Sequence, residues 1–383
     1  MELDLEKIRS AINDVDSKIV ELYETRLALC DEVAEFKRRT GKAVLDRARE
    51  EQLLSRLSQI ASPENRSAVT GLYKRILEIS RSRQSAKITE PSRVIASLTE
   101  KCGENAVFPG FADVACQGVE GAYSDIAAHI LFEEPRTMFF EDFESVIKSV
   151  DSGLCKYGVL PFENSIYGSV SEVYEMLSRF GGFVVRSVKL PVHHVLMAKD
   201  GVDFSEIREI HSHRQAIGQC SIFLGKNKNI KVIPCENTAK AAKYAAQSER
   251  RDIAAICSPV CAEKYGLSVL RGDVQNSNVN FTMFYCISKE LEVYPEVTKF
   301  AFMFGLENRA GALADVLSRF SAAGINLTKI ESRPIPGRDF EFMFYVEGDT
   351  QGITKELTEL FTVLENESEF FKFMGAYTEI SAE

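Results

Sequence analysis

An all-helical N-terminal unit, a two-lobed α/β centre and an α+β tail are predicted by three successive hydrophobic rhythms. Within residues 1–88 the apolar pattern is helical throughout, recurring every seven positions from Ile8 to Phe36. Over 112–290 short apolar runs alternate with helical patterns, and over 298–377 the order reads β-α-β-β-α-β. The 383 residues suit two or three separate cores.

In the first unit Ile8, Val15, Leu22, Leu29 and Phe36 form one row of a long helix. A companion row of Leu5, Ile12, Ile19 and Val33 is interrupted by Arg26. The stripe reads as a core seam, so Arg26 is expected inside it, where a guanidinium is costly unless an anion or several acceptors meet it. A plain ion pair with an Asp or Glu of a neighbouring helix would satisfy it. Lys37 falls on almost the same face, roughly 16 Å further along the axis. Asp46 is placed to cap a second helix carrying Arg49 and Glu50. Ser62-Pro63 starts a third through Val69, Leu72, Ile76 and Ile79, with Ser80 and Gln84 sharing a face.

Residues 84–112, polar and holding Pro91 and Pro109-Gly110, read as a boundary. Beyond it, runs at 114–116, 138–140 and 157–160 alternate with helical patterns at 126–132 and 143–150, and similar grammar resumes from Val192 through 232–233 to 253–256. Parallel strands with crossover helices in two lobes follow, with a ligand between them beyond the strand ends. Four turns carry that signal: Gly118 to Ser124, Pro161 to Gly168, Ser212 to Gln215 and Asn280 to Phe284. All are rich in neutral donors. Ser124 and Ser212 are expected to be N-caps, which turns helix N-termini toward a carboxylate.

In the tail, Phe300 to Leu306, Leu327 to Glu331, Phe340 to Val346 and Phe371 to Tyr377 read as strands. Helices are expected from Gly311-Ala312-Leu313 to Gly324 and near 354–363, the ferredoxin-like order.

The net charge of −10 is uneven. Residues 1–90 hold 17 Lys and Arg against 16 Asp and Glu, and the remainder 29 against 40. The acidic majority argues against nucleic acid and anionic membranes as partners. No apolar run reaches the roughly 18 residues of a spanning helix, and no signal-peptide core is seen, so a cytoplasmic location is expected. Nine cysteines without paired Cys-x-x-Cys spacing fit a reducing compartment, with no metal site and no cofactor expected.

These residues carry resemblances. Residues 1–88 resemble the all-helical chorismate mutase domain of bacterial bifunctional P-proteins, whose site residues match Arg9, Arg26, Lys37, Asp46, Arg49, Glu50, Ser80 and Gln84. The resemblance implies that the long helix pairs with a second copy and that Arg9 reaches into the partner's site. Chorismate is a dianion that rearranges by a pericyclic step, so catalysis means holding a compact conformer and stabilising the ether oxygen. Arg26 and Arg9 would grip carboxylates, Lys37 and Gln84 would donate to the ether oxygen, and Glu50 would accept from the substrate hydroxyl.

Residues 112–290 resemble the prephenate dehydratase family, a two-lobed fold like that of periplasmic binding proteins. Matching positions are Ala122, Tyr123 and Ser124, then Glu163-Asn164-Ser165, then Ser212-His213, Gln215, Gln219-Cys220, and Thr282 with Phe284. The family's last motif usually reads Thr-Arg-Phe, and Met283 stands here in place of the arginine. The resemblance assigns the donor to the leaving hydroxyl to Thr282, the proton arriving through it from water or Glu163, with His213 a further candidate. Residues 298–377 resemble ACT regulatory domains, which implies a phenylalanine site at Asn308, Gly311, Ala312, Leu313, Glu331, Ser332, Arg333 and Pro334 and a homodimer or larger homo-oligomer. Ala310 replaces the proline common before that glycine.

The expected activity is chorismate to prephenate, then prephenate to phenylpyruvate, inhibited by phenylalanine. Two alternatives are a mutase joined to a non-catalytic binding cleft and an arogenate dehydratase.

Overall fold

The computed structural model describes residues 4–88, 90–101, 106–306, 308, 310–334 and 342–382. Helix α1 (Leu5–Thr40) starts where the Asp4 carboxylate accepts from the amides of Glu6 and Lys7 and stops at Gly41, whose φ of 68° ends the helix. Helix α3 (Arg66–Ile88) folds back on its C-terminal half, and α2 (Arg47–Ile60) packs on α3. Asp31 clamps that half by two bonds from Arg83, at 2.6 and 2.7 Å, and one from Lys87 at 2.8 Å. Those partners hold its carboxyl well below the usual carboxylate range. Ser62 does not cap the third helix: a short 3-10 turn at Pro63–Asn65 intervenes and the hydroxyl makes no capping bond.

The apolar stripe of α1 is not buried within the chain, contrary to the expectation of a core seam. Ile8, Ile12, Val15, Ile19, Leu29, Val33 and Phe36 are exposed, and Leu22 is 70% exposed. Periodicity fixes which face is apolar, but α2 and α3 are too short to cover a helix of 36 residues, roughly 54 Å long.

The predicted boundary contains helix α4 (Arg93–Lys101), whose Ile95 and Leu98 are fully buried in the tail's core. The first lobe follows: β1 (Phe111–Gln117), α5 (Tyr123–Leu131), β2 (Glu134–Phe140), α6 (Phe143–Asp151), β3 (Tyr157–Asn164), β4 (Gly168–Ser169), α7 (Ser171–Arg179) and β5 (Phe183–Pro191). The second lobe holds β6 (Val195–Lys199), β7 (Glu209–His213), α8 (Arg214–Gln219), α9 (Ser221–Lys226), β8 (Lys231–Cys235), α10 (Thr238–Gln247), β9 (Ile253–Cys257), α11 (Val260–Tyr265) and β10 (Leu267–Arg271). Strand β11 (Phe281–Ser288) returns to the first lobe.

Both sheets are mixed rather than parallel. β1 pairs parallel with β2 and β3, and β7 with β8 and β9. β11 runs antiparallel to β3 and β5, and β6 to β9 and β10. The chain crosses between lobes twice, after β5 and before β11, and the returning strand enters the first sheet against the direction of its neighbours.

The tail comprises β12 (Lys299–Gly305), α12 (Ala312–Ala322), β13 (Leu327–Pro334), β14 (Phe342–Asp349), α13 (Lys355–Glu367) and β15 (Phe370–Ser381), the expected β-α-β-β-α-β order. Phe340, the expected start of the third strand, lies outside the described residues. β15 runs past the expected end at Tyr377, and Thr378 to Ser381 pair parallel with Arg186 to Lys189 of β5. The tail's sheet therefore continues that of the first lobe in the order β13-β14-β12-β15-β5-β11-β3-β1-β2. Gly375 marks the crossing, since a Cβ there would sit 2.1 Å from the Val184 carbonyl oxygen. At this junction Phe162 stacks on Tyr285 with centroids 4.0 Å apart, and the Tyr285 hydroxyl donates to Glu347 at 2.8 Å.

Candidate active sites

The two lobes enclose a cavity of about 480 Å³. From the expected set, Ala122, Tyr123, Ser124, Asn164, His213, Gln215, Thr282 and Phe284 line it, as does Gln219. Glu163, Ser165 and Ser212 do not. Ser212 is fully buried in β7 and donates to the Ile256 carbonyl at 2.6 Å. Ser165 folds the loop, its hydroxyl accepting from the Phe281 amide at 2.9 Å. Glu163 turns to the tail, where its carboxylate meets Lys329 Nζ at 2.5 Å.

The expected N-caps shift by one or two residues. Ala122 caps α5, while Ser124 lies within it and donates to the Gln117 carbonyl at 2.6 Å. His213 caps α8, its Nδ1 accepting from the Gln215 amide at 3.3 Å. Burial, with Arg214 nearby, lowers the pKa of this ring. The imidazole is thus neutral, and with Nδ1 accepting, Nε2 carries the hydrogen available to a ligand.

The arrangement around Thr282 is chemically the most specific. Asn164 Oδ1 accepts from the amides of Ile166 and Tyr167 at 3.0 and 3.1 Å, which fixes which end of the amide is oxygen. Its Nδ2 donates to Thr282 Oγ1 at 3.0 Å, and also to Asn280 Oδ1 and the Phe281 carbonyl. Thr282 therefore receives a hydrogen bond on its oxygen and keeps its own proton for whatever occupies the cleft. Met283, one residue on, faces the opposite side of β11 and packs against the junction core, away from the cavity.

Two groups in the lining carry no weight in the sequence reading. His194 is 2% exposed; its Nε2 lies 2.7 Å from Gln219 Oε1, and its Nδ1 has no partner among the described residues. Desolvation keeps the ring neutral, so Nε2–H donates to Gln219 and Nδ1 is an open acceptor. Two adjacent histidines in a Val-His-His-Val run give no spacing signal. Glu236-Asn237-Thr238 bring in the N-terminus of α10, where Asn237 Oδ1 accepts from the Lys240 amide at 2.7 Å. Asn before an Ala-rich helical run was the readable sign. The lining includes no lysine or arginine among the described residues, so an anionic ligand would rest on neutral donors and on the N-termini of α5 and α10.

At the helical end, two rungs join α1 to α3. Arg26 Nη1 donates to Ser80 Oγ at 2.5 Å, and Lys37 Nζ to Gln84 Oε1 at 3.1 Å and the Val44 carbonyl at 2.5 Å. Ser80 and Gln84 are buried, and Arg26 faces a hydroxyl rather than the carboxylate of a simple ion pair. Glu50 is held by Arg81 at 2.5 Å, a residue the sequence did not single out. Asp46 is the α2 cap, accepting from the Arg49 amide, while the Arg49 side chain is exposed. Arg9 is seventeen positions before Arg26 on one continuous helix, roughly 25 Å away, so it cannot join this cluster in its own chain.

In the tail, Gly311 takes a φ of 87° just before α12, with Ala312 and Leu313 opening the helix and Asn308 exposed beside it. Glu331 and Arg333 project from the opposite face of β13, toward the first lobe, while Ser332 alternates away from them. Glu331 accepts from Ser169 at 2.5 Å, and Arg333 donates to Ser171 at 2.9 Å and lies over the Tyr174 ring. Burial opposes ionisation of Glu331, but Ser169, Arg333 and Lys329 hold its carboxyl below the usual value. Pro334 ends the strand. Among the described residues no helix is long and apolar enough to cross a membrane, and no cluster of three His, Cys, Asp or Glu side chains could hold a metal.

The chain matches the prephenate dehydratase family over residues 114–292, chorismate mutase type II over 8–85 and the ACT domain over 301–365. A bifunctional chorismate mutase/prephenate dehydratase of Buchnera aphidicola subsp. Schizaphis graminum is 29% identical over 382 residues, spanning 98% of this chain and 96% of that protein. Arogenate dehydratase/prephenate dehydratase 2, chloroplastic, of Arabidopsis thaliana is 34% identical over 276 residues, 69% of this chain and 72% of the relative. A solved prephenate dehydratase from Arthrobacter aurescens in complex with L-Phe superposes with a TM-score of 0.63 at 25% identity, covering 70% of this chain and 90% of that one.

Proposed function

The chain belongs to the bifunctional chorismate mutase/prephenate dehydratase family, and from that premise we propose that it carries out both reactions in sequence, under inhibition by phenylalanine. The helical end rearranges chorismate. Arg26, anchored by Ser80, and Arg9 from a second copy grip the carboxylates, while Lys37 and Gln84 face the ether oxygen, a set that holds charge and needs no base. The exposed stripe of α1 supports a homodimer through that helix.

In the cleft, prephenate loses its ring carboxylate as carbon dioxide. The electron pair of that bond enters the ring as the C–O bond to the ring hydroxyl breaks. One proton is needed to release the hydroxyl as water. The observation that carries this reading is the Asn164 amide donating to Thr282 Oγ1 at 3.0 Å, which leaves the threonine proton to the departing hydroxyl. The amides of Tyr123 and Ser124 at the start of α5 suit a carboxylate. Glu163 is not the proton source in this reading, since it is paired to Lys329 outside the lining. The tail is the phenylalanine-sensing part, through residues 308, 311–313 and 331–334. The cytoplasm is the compartment we assign, in keeping with eight described cysteines that are all free thiols.

The test is turnover of prephenate by purified protein, followed as phenylpyruvate absorbance with and without phenylalanine. Formation suppressed by phenylalanine is expected; absence of formation while chorismate is consumed would leave a mutase with a binding cleft. A second reading, arogenate as the preferred substrate, is favoured by Glu236 in the lining, a carboxylate that could meet an ammonium in place of the ketone. Glu236 is ion-paired to Lys240, which supports prephenate, and competition between the two substrates decides.

A further inference from the structure

We infer that Lys329, on strand β13 of the tail, is a positioning residue for the dehydratase cleft, holding through Glu163 the loop whose Asn164 sets Thr282. The inference rests on the reading of the cleft given above.

Glu163 and Asn164 are the last two residues of β3. The Asn164 amide organises the loop, binding the amides of Ile166 and Tyr167 and the Thr282 hydroxyl. Among the described residues of its own lobe, none forms an ion pair with the neighbouring Glu163 carboxylate. Its cross-strand neighbour on β11 is Met283, and on β4 it is Ser169. Among the described residues Lys329 is the cation paired with it, at 2.5 Å.

The same ammonium donates to Ser169 Oγ at 3.2 Å, and Ser169 also donates to Glu331. Ser169 lines the cavity. Lys329 therefore ties both ends of the 163–169 hairpin to a strand of another module. Its side chain is 16% exposed and lies 5.4 Å from the centroids of both Phe162 and Tyr174, so the pair is sheltered rather than solvated. Thr282 pairs with Asn164 across β3 and β11, so a hairpin that slackens carries the amide away from the hydroxyl it orients.

The test is Lys329→Met, read two ways. Dehydratase kcat should fall about tenfold or more with prephenate KM within about twofold, as expected when a reacting group is misplaced rather than when a substrate contact is lost. Mutase activity of the same sample, unchanged, reports an intact fold. Hydrogen exchange at the amides of Ile166 and Tyr167 should accelerate about tenfold, whatever ligand the cleft takes. That readout stands even if the wild type fails to turn over prephenate, which would refute the reading of the cleft but not the tether. Wild-type kcat, or unchanged exchange at those two amides, would overturn the inference.

A double-mutant cycle with Glu163→Gln separates a tether from an independent effect. If Lys329 acts through Glu163, the double variant should be no slower than the slower single variant. Losses that multiply would contradict it. Met283→Arg added to Lys329→Met should restore most of the lost kcat, because position 283 lies directly across from Glu163 and can supply the missing cation from the cleft's own strand.

Discussion

The helical end and the central cleft solve the same problem, holding a small dianion, with opposite economies of chain. The cleft is closed by two lobes of one polypeptide, and Ala122, Ser124, His194 and Phe284 in its lining are buried. The helical end gathers Arg26, Lys37, Ser80 and Gln84 on two helices but leaves its longest apolar face uncovered and Arg9 roughly 25 Å from the cluster. One site is complete in a single chain; in the function proposed above, the other draws on a second copy. The contrast teaches that a hydrophobic period states what a face is made of and says nothing of whose surface covers it.

The sharpest way to break this division is to silence one end and watch the other. Thr282→Val should reduce phenylpyruvate formation by roughly 10²–10⁴-fold while chorismate consumption stays within about twofold. Steady-state rates on the two substrates check it, and near-normal phenylpyruvate formation would remove Thr282 from the mechanism. Leu22→Glu, placing a charge in the exposed stripe, should cost mutase activity about tenfold and leave prephenate turnover intact if, as proposed, the helical site alone depends on pairing. Sedimentation or light scattering should show weaker self-association in parallel.

Asn164→Ala sharpens the account of the cleft from within. Losing the donor to Thr282 and the acceptor for two amides should lower dehydratase kcat roughly 10-fold to 10²-fold, in line with about 1–3 kcal/mol for an unsatisfied buried group. Equal effects on KM and none on kcat would instead make Asn164 a substrate contact. The smallest effect on activity belongs to Gly375→Ala. Its new methyl group would collide with the Val184 carbonyl where β15 crosses to β5, and thermal unfolding should report about 1–3 kcal/mol of lost stability.

Much of this was legible because local chemistry is local. The 3.6-residue period put Arg26 with Lys37 and Ser80 with Gln84, and the structure joins those pairs rung by rung. The tail's strand and helix order needed only alternation and turns. What escaped was decided by distant partners. Ser124 and Ser212 have the side chains of caps, yet backbone geometry gives the N-cap to Ala122 and His213, and the serines go to buried carbonyls. Glu163 sits beside Asn164 in sequence, but pleating sends the two to different surroundings. Helix α4 lay in a stretch whose proline and polar content read as linker, though Ile95 and Leu98 fill a core built some 200 residues later in the chain. The fusion of the two sheets through residues 378–381 left no trace in the pattern of either strand alone.

The claim that the helical site is shared between two copies is tested most directly by mixing two inactive variants, Arg9→Ala and Arg26→Ala, and allowing subunits to exchange. Each alone should lack mutase activity and retain dehydratase activity. In a mixed dimer one site draws Arg26 from one chain and Arg9 from the other, so the mixture should recover about a quarter of wild-type mutase activity. A mixture that exchanges subunits yet stays as inactive as its components would contradict the shared site.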